Sequence, residues 1–214
     1  MFPERLVDGY RSFLGDRFAR ERQRYEALAE GGQNPEILLI GCCDSRVSPE
    51  VIFDARPGEL FVVRNVANLV PPFETNGRFH GTSAALEFAV QALGVRHIVV
   101  LGHASCGGIR TFAEKRAPLS SSDFIGKWMS IVASAADTLE DPGANPSADY
   151  IERLELAAIE QSLANLMTFG AVRRRVAEGR LELHGAYFGI AKGRLLVRDP
   201  VTKAFSAVAG LPNK

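Results

Sequence analysis

The sequence predicts an α/β fold. A mainly parallel central β-sheet carries an antiparallel edge strand, with helices on both faces and an N-terminal helical arm. Three observations predict it. Short apolar runs at 37–40, 60–63 and 98–101 are bounded by turn residues, the pattern of parallel strands buried on both faces. Helical patterns at 82–93 and 147–169 alternate with strand-like runs, as in a chain that crosses between parallel strands. Two late runs, 181–190 and 195–198, flank a turn at Ala191-Lys192-Gly193, so the last strand folds back along an edge.

The totals fit that class. A chain of 214 residues forms one domain, 1–214, large enough for a full core. Lysine plus arginine and aspartate plus glutamate are 25 each, which gives no electrostatic footprint for nucleic acid or a membrane surface. The basic clusters at 20–24 and 173–175 read as solvated helix faces. Residues 1–5 lack the apolar segment of a signal peptide, and no apolar run is long enough to cross a bilayer. Three cysteines, two of them adjacent, argue against a disulfide framework and for a reducing compartment, with cytoplasm expected.

In chain order, residues 3–29 place Leu6, Tyr10, Phe13, Leu14, Phe18, Tyr25 and Leu28 at helical spacing. Gly9 and Gly15 each weaken a helix there by about 1 kcal/mol and mark where the arm breaks; Gly31-Gly32 ends it. After the first strand, Ser48-Pro49-Glu50 reads as a capped helix start. Gly58 introduces the second strand, which ends in Arg64-Asn65 and a loop through Pro71-Pro72 and Asn76-Gly77. Gly94 stops the helix at 82–93. Gly107-Gly108 opens a helix to about Lys115, and 123–138 reads as another between Pro118 with its serine triplet and Pro142. The helix at 147–169 turns Ile151, Leu154, Ala158 and Leu166 inward, and a shorter one at 172–178 ends at Gly179.

Two strand ends carry chemistry. The first run leads into Gly41-Cys42-Cys43-Asp44-Ser45-Arg46, the third into His103-Ala104-Ser105-Cys106. Sites in open parallel sheets gather past the carboxyl ends of strands. Two neighbouring strands would therefore deliver Cys42, His103 and Cys106 to one place, a zinc ligand set with one position left. Each motif alone is weak, because a cysteine ending an apolar strand is usually a small buried hydrophobe. Their joint occurrence carries the reading. Free amides at Gly107-Gly108 favour a Cys106 thiolate. Cys43 reads as a packed neighbour facing away, and His80, His97 and His184 show no ligand spacing.

Asp44 and Arg46 follow Cys42 by two and four residues, which returns all three to one side of an extended segment. Paired with Arg46, Asp44 can orient a zinc-bound hydroxide. Swung free, it can take the fourth zinc position and shut the site; held there permanently, it would make the zinc structural. Two thiolates neutralise Zn2+, so a bound water should keep a pKa above the ~7 of three-histidine zinc. That predicts faster turnover at alkaline pH.

Cys-x-Asp-Ser-Arg followed by His-x-x-Cys-Gly-Gly resembles the β-class carbonic anhydrases. The resemblance runs from about residue 32 to 197. It includes the segment at 57–68, Val70-Pro71-Pro72-Phe73, the helix at 84–90 and His184-Gly185, all similar to the plant-like branch. It implies one Zn2+ per chain on Cys42, His103 and Cys106, an Asp44–Arg46 dyad, and reversible hydration of CO2 to bicarbonate and a proton. It also implies that the arm, 1–30, lies over a partner subunit in a homodimer or tetramer. In the plant-like subtype Gln33 would contact substrate, and Phe61, Val66 and Phe88 would form an apolar wall, with Phe88 standing where a tyrosine is expected. The other subtype closes when bicarbonate binds between a tryptophan, an arginine and a tyrosine. Here Leu39 and Phe188 replace the aromatic pair around Arg64, which implies an open site at neutral pH. Hydrolysis of carbonyl sulfide or carbon disulfide on the same scaffold is the rival activity.

Overall fold

A computed structural model describes residues 1–76, 80–114, 122, 124–140, 142–143 and 145–208. The features expected at Gly77, Lys115, Pro118, Ser120, Ser121 and Asp123 lie outside these residues. Four strands run parallel: β1 (Ile37–Cys42), β2 (Leu60–Asn65), β3 (His97–His103) and β4 (Glu182–Gly189). Two follow antiparallel, β5 (Arg194–Arg198) and β6 (Phe205–Ala207). Their order across the sheet is β2-β1-β3-β4-β5-β6. The strand β6 is not anticipated from sequence, since three residues are too few to show a period.

The arm is two helices, α1 (Glu4–Gly15) and α2 (Arg17–Gly31), broken at Asp16; Gly9 sits inside α1 without breaking it. Arg17 and Arg24 of α2 donate to the carbonyls of Ala55 and Pro57 at 3.0 and 2.6 Å. Leu28 packs so close to Gly58 that a Cβ there would stand 2.8 Å from its Cδ2, and Gly58 has φ +84°, so both space and backbone require glycine. Ser48 does precede α3 (Pro49–Ile52), with Pro49 in the first turn, but its hydroxyl donates to Glu50 at 2.9 Å instead of capping a backbone amide. The helix α4 (Gly81–Glu87) continues as a π-helical turn, Phe88–Leu93, into Gly94 at φ +70°. Then come α5 (Gly107–Ala113), α6 (Phe124–Met129), a 3-10 turn into α7 (Ala133–Ala136), α8 (Ala148–Leu166) and α9 (Gly170–Ala177). Ser147 caps α8 by accepting from the Tyr150 amide at 3.1 Å.

Helices cover the two sheet faces unequally. Leu38, Ile40, Ile98 and Val100 meet Leu86, Ala89 and Val90 of the α4 region, Ile159 and Leu166 of α8, and Val172 of α9. A second cluster, under the carboxyl ends of β1 and β3, joins Cys42 and Cys106 to Val47, Leu69, Ile109, Ile151, Leu154 and Ala158. On the opposite face Leu39, Leu101 and Ala186 form a small cluster against Ile52 of α3. A groove of about 660 Å³ lies there, lined by Leu39, Val99, Ala186, Leu195 and Val197 among others.

Candidate metal centre

The strand order places the site. From β1 the chain moves out to β2, then returns past β1 to β3. Crossovers to opposite sides leave a crevice at the carboxyl ends of β1 and β3. Cys42 ends β1, His103 ends β3, and Cys106 caps α5. Their sulfur and ring-nitrogen ligand atoms all lie within 4.8 Å of one another. All three residues are buried, at 6%, 1% and 2% exposure. Ser105, at φ +58°, bends the chain so that Cys106 returns to His103. A Cβ on Gly102 would meet Ile159 Cδ1 at 2.7 Å, so glycine lets α8 close over the end of β3.

Charged side chains fasten the backbone under these ligands. Arg64 of β2 donates through Nε to the Cys42 carbonyl (2.8 Å) and through Nη2 to the Asp44 carbonyl (2.7 Å). The Cys106 amide donates to Glu155 Oε1 at 2.8 Å, and the Tyr187 hydroxyl donates to Glu155 Oε2 at 2.7 Å. Sequence reasoning missed Glu155, Tyr187 and this use of Arg64. The available signal was a glutamate between Ile151, Leu154 and Ala158 on the inward stripe of α8. Burial pushes the Glu155 carboxyl up, against the bonds from Tyr187 and Cys106. Burial and then Glu155 push the Tyr187 hydroxyl up, which keeps it a donor.

The sulfurs ionise unequally. Hydrogen bonding with the Cys106 thiol lowers Cys42 to about 4, against burial and with help from His103. That same bond, then burial, pushes Cys106 up, while the Ile109 and Gly108 amides of α5 oppose. Two thiolates this close need a cation between them. Burial works to lower His103, but the Cys42 sulfur and the Ala104 carbonyl outweigh it and raise its pKa.

Asp44 and Arg46 form a bidentate pair. Arg46 Nε reaches Oδ1 at 2.9 Å and Nη2 reaches Oδ2 at 2.7 Å, while the Arg46 amide donates to Oδ1 at 3.0 Å. Nη2 also donates to the Ser105 carbonyl at 3.2 Å, which ties the two ligand loops together. Hydrogen bonds from the Arg46 side chain hold the Asp44 carboxyl well below the usual carboxylate range. Cys43 is exposed and stands apart from the triad; the expected packing is not found, because the residue lines an open cleft.

The four expected pocket residues separate. Val66 follows β2, accepts at its carbonyl from Trp128 Nε1–H at 2.7 Å, and lines a cleft of about 680 Å³ with Cys43, Asn65 and Trp128. Phe61 pairs in register with Leu38, four residues before the Asn65–Cys42 pair, roughly 13 Å back along the strand. Phe88 packs against Phe61, with ring centroids 5.9 Å apart and the rings tilted by 33°. Gln33 is exposed and precedes β1, at the end of that strand opposite Cys42. The chain does not bring Gln33, Phe61 and Phe88 to its own triad.

The residues fit a metal ion. His103 Nδ1 is engaged by the Ala104 carbonyl at 2.9 Å, and an acceptor there fixes N–H on Nδ1. Its Nε2 is buried without a hydrogen-bond partner and lies in the group with both sulfurs. An orphaned lone pair facing two thiols is the donor set of a soft or borderline cation.

A sequence profile of the family described as Carbonic anhydrase matches residues 37–195. "Beta carbonic anhydrase 3" of Arabidopsis thaliana is 35% identical over 194 residues, 89% of this chain and 74% of that protein. A carbonic anhydrase of Synechocystis is 34% identical over 206 residues, covering 95% and 74%. The solved β-carbonic anhydrase CcaA superposes with a TM-score of 0.83 at 32% identity, covering 97% of this chain and 92% of that one. One of two tetrameric β-carbonic anhydrases from Sordaria macrospora gives 0.75 at 31% identity, covering 90% and 94%. The profile spans most of the chain, and these relatives share its fold along nearly its whole length: the chain belongs to the β-class carbonic anhydrases, a family of lyases.

Proposed function

We propose that this chain hydrates CO2 reversibly to bicarbonate and a proton, with one zinc ion per chain on Cys42, His103 and Cys106. The observation that carries the reading is a buried Cys–His–Cys triad with an Arg46-held carboxylate beside it. The ion would supply a Lewis acid that makes water nucleophilic near neutral pH. Asp44 stays ionised because Arg46 engages both its oxygens, so it is a fixed acceptor for the O–H of the attacking water. That bond aims the oxygen lone pair at the carbon of CO2. Val66 offers an apolar wall to an uncharged substrate, and the proton leaves to buffer.

The Asp44–Arg46 pair supports an open site over a structural metal with Asp44 as fourth ligand. Arg64 is committed to the Cys42 and Asp44 carbonyls, and Leu39 is buried among Leu101 and Ala186. That supports the absence of bicarbonate closure of the Trp–Arg–Tyr kind. Gln33, Phe61 and Phe88 can contribute only to the site of a second copy. Self-association has further support in α1, whose Leu6, Tyr10 and Leu14 are exposed, and in the apolar groove on the thinly covered sheet face. A homodimer or tetramer would cover both. The three free cysteines suit a reducing compartment such as cytoplasm.

Stopped-flow CO2 hydration by zinc-loaded protein at pH 7 and pH 8.5 tests the proposal. Activity at both, faster at 8.5, is expected. Inactivity toward CO2 alongside turnover of carbonyl sulfide would reassign the substrate; inactivity toward both would leave a structural metal.

A further inference from the structure

At the amino ends of β3 and β4, opposite the triad, three more ligand-type side chains converge. The β3–β4 register sets His97 beside Glu182, and His184 is two residues along the same strand, so all three project from one face of the sheet. His97 Nδ1 lies 3.2 Å from His184 Nε2, His97 Nδ1 lies 3.7 Å from Glu182 Oε2, and His184 Nε2 lies 3.6 Å from that oxygen. The same three atoms make all three separations. They form a nearly equilateral triangle, and an ion about 2.1 Å from each corner, the length of a zinc–imidazole or zinc–carboxylate bond, stands roughly 0.6 Å off its plane.

We propose that His97, Glu182 and His184 form a second divalent transition-metal site. The three separations match the face of a tetrahedron around zinc, which leaves the outward position to water. Two imidazoles and one carboxylate favour Zn2+, Co2+, Ni2+ or Cu2+ over Ca2+ and Mg2+, which take oxygen ligands. At 3.2 Å the two ring nitrogens share one hydrogen, donated by one and accepted by the other, and an ion would take its place between them. Nearby arginines are otherwise engaged: Arg96 with Glu36 at 3.8 Å, and Arg180 with Glu178. In the single chain the side chains are 35%, 67% and 37% exposed in chain order, so an ion can enter from solvent without unfolding, by way of the groove that His184 lines or before a partner covers it. Such an ion would clip β3 to β4.

Calorimetric titration of Zn2+ into protein already holding one zinc per chain tests this. One further ion per chain is expected. Its affinity should fall at least about tenfold in His184→Gln and in Glu182→Gln, with the first zinc and CO2 hydration unchanged. Glu182 is mostly exposed, so its variant keeps the fold even if His184→Gln does not. No second uptake, or equal uptake by wild type and both variants, overturns the proposal. Either result stands whether or not the chain turns over CO2.

Discussion

One strand, β3, carries a histidine at each end, and the two lie in opposite settings. His103 is 1% exposed, with its Nδ1 engaged by a carbonyl and its Nε2 turned toward two sulfurs. The side chain of His97 is 35% exposed, and its partners are another imidazole and an exposed carboxylate. At the carboxyl end the loops bearing the ligands are themselves fastened, by Arg64, Glu155 and Arg46. At the amino end strand register sets the spacing. The lesson is that a ligand set becomes a permanent site when the backbone beneath it is held and water is kept out. Ligand-type side chains on an open face, here two imidazoles and a carboxylate, make an exchangeable site.

Removing one ligand from each end separates the two settings most sharply. Cys106→Ala should lower CO2 hydration by more than the ~10–100-fold that changes to outer-shell partners cost. The zinc content of the purified protein should fall in parallel. His184→Gln should leave both unchanged. Equal losses from the two variants would make the ends equivalent and remove the distinction.

A finer test keeps the metal and changes only what faces it. Asp44→Asn leaves Arg46 with a neutral partner and should reduce kcat by about 100-fold, with zinc content retained. Arg46 holds Asp44 ionised far below neutrality, so Asp44 does not titrate between pH 6 and 9. The rate should therefore rise from pH 7 to pH 8.5 in wild type and variant alike. A rise in wild type that vanishes in Asp44→Asn would assign the alkaline limb to Asp44.

The parts of this design readable from sequence are those that follow from strand ends. Cys42 and His103 come together because each closes an apolar run, and parallel runs present their carboxyl ends on one side. Asp44 and Arg46 meet because they are two residues apart. The unread parts depend on register and crossover. Arg64 reaches back 22 residues, Glu155 reaches 49, and His97 meets His184 across 87. No local period reports such distances. The resemblance groups Gln33, Phe61 and Phe88 with Val66 in one pocket, yet strand direction sets the first three at the far end from their own triad. The sequence carries no mark of which copy a pocket residue serves.

The smallest predicted effects come from the support under Cys106. Glu155→Ala leaves the buried Cys106 amide and the Tyr187 hydroxyl without an acceptor, at about 1–3 kcal/mol each. Removing a penalised buried carboxylate offsets part of this, so a net loss of about 3 kcal/mol is expected in urea unfolding. Glu155→Gln keeps an oxygen for the amide, and Tyr187→Phe removes one donor; each should cost only about 1 kcal/mol. The pH dependence separates a carboxylate from mere shape. Burial raises the folded pKa of Glu155 above its unfolded value of about 4.3. The native state then holds the proton more tightly than the unfolded chain does. Its contribution to stability is full below the unfolded pKa and declines as pH rises through the folded one. Glu155→Gln cannot titrate, so its stability relative to wild type should improve as pH rises across that window. A constant difference between the two proteins would mean that Tyr187 and the Cys106 amide hold Glu155 at its ordinary pKa.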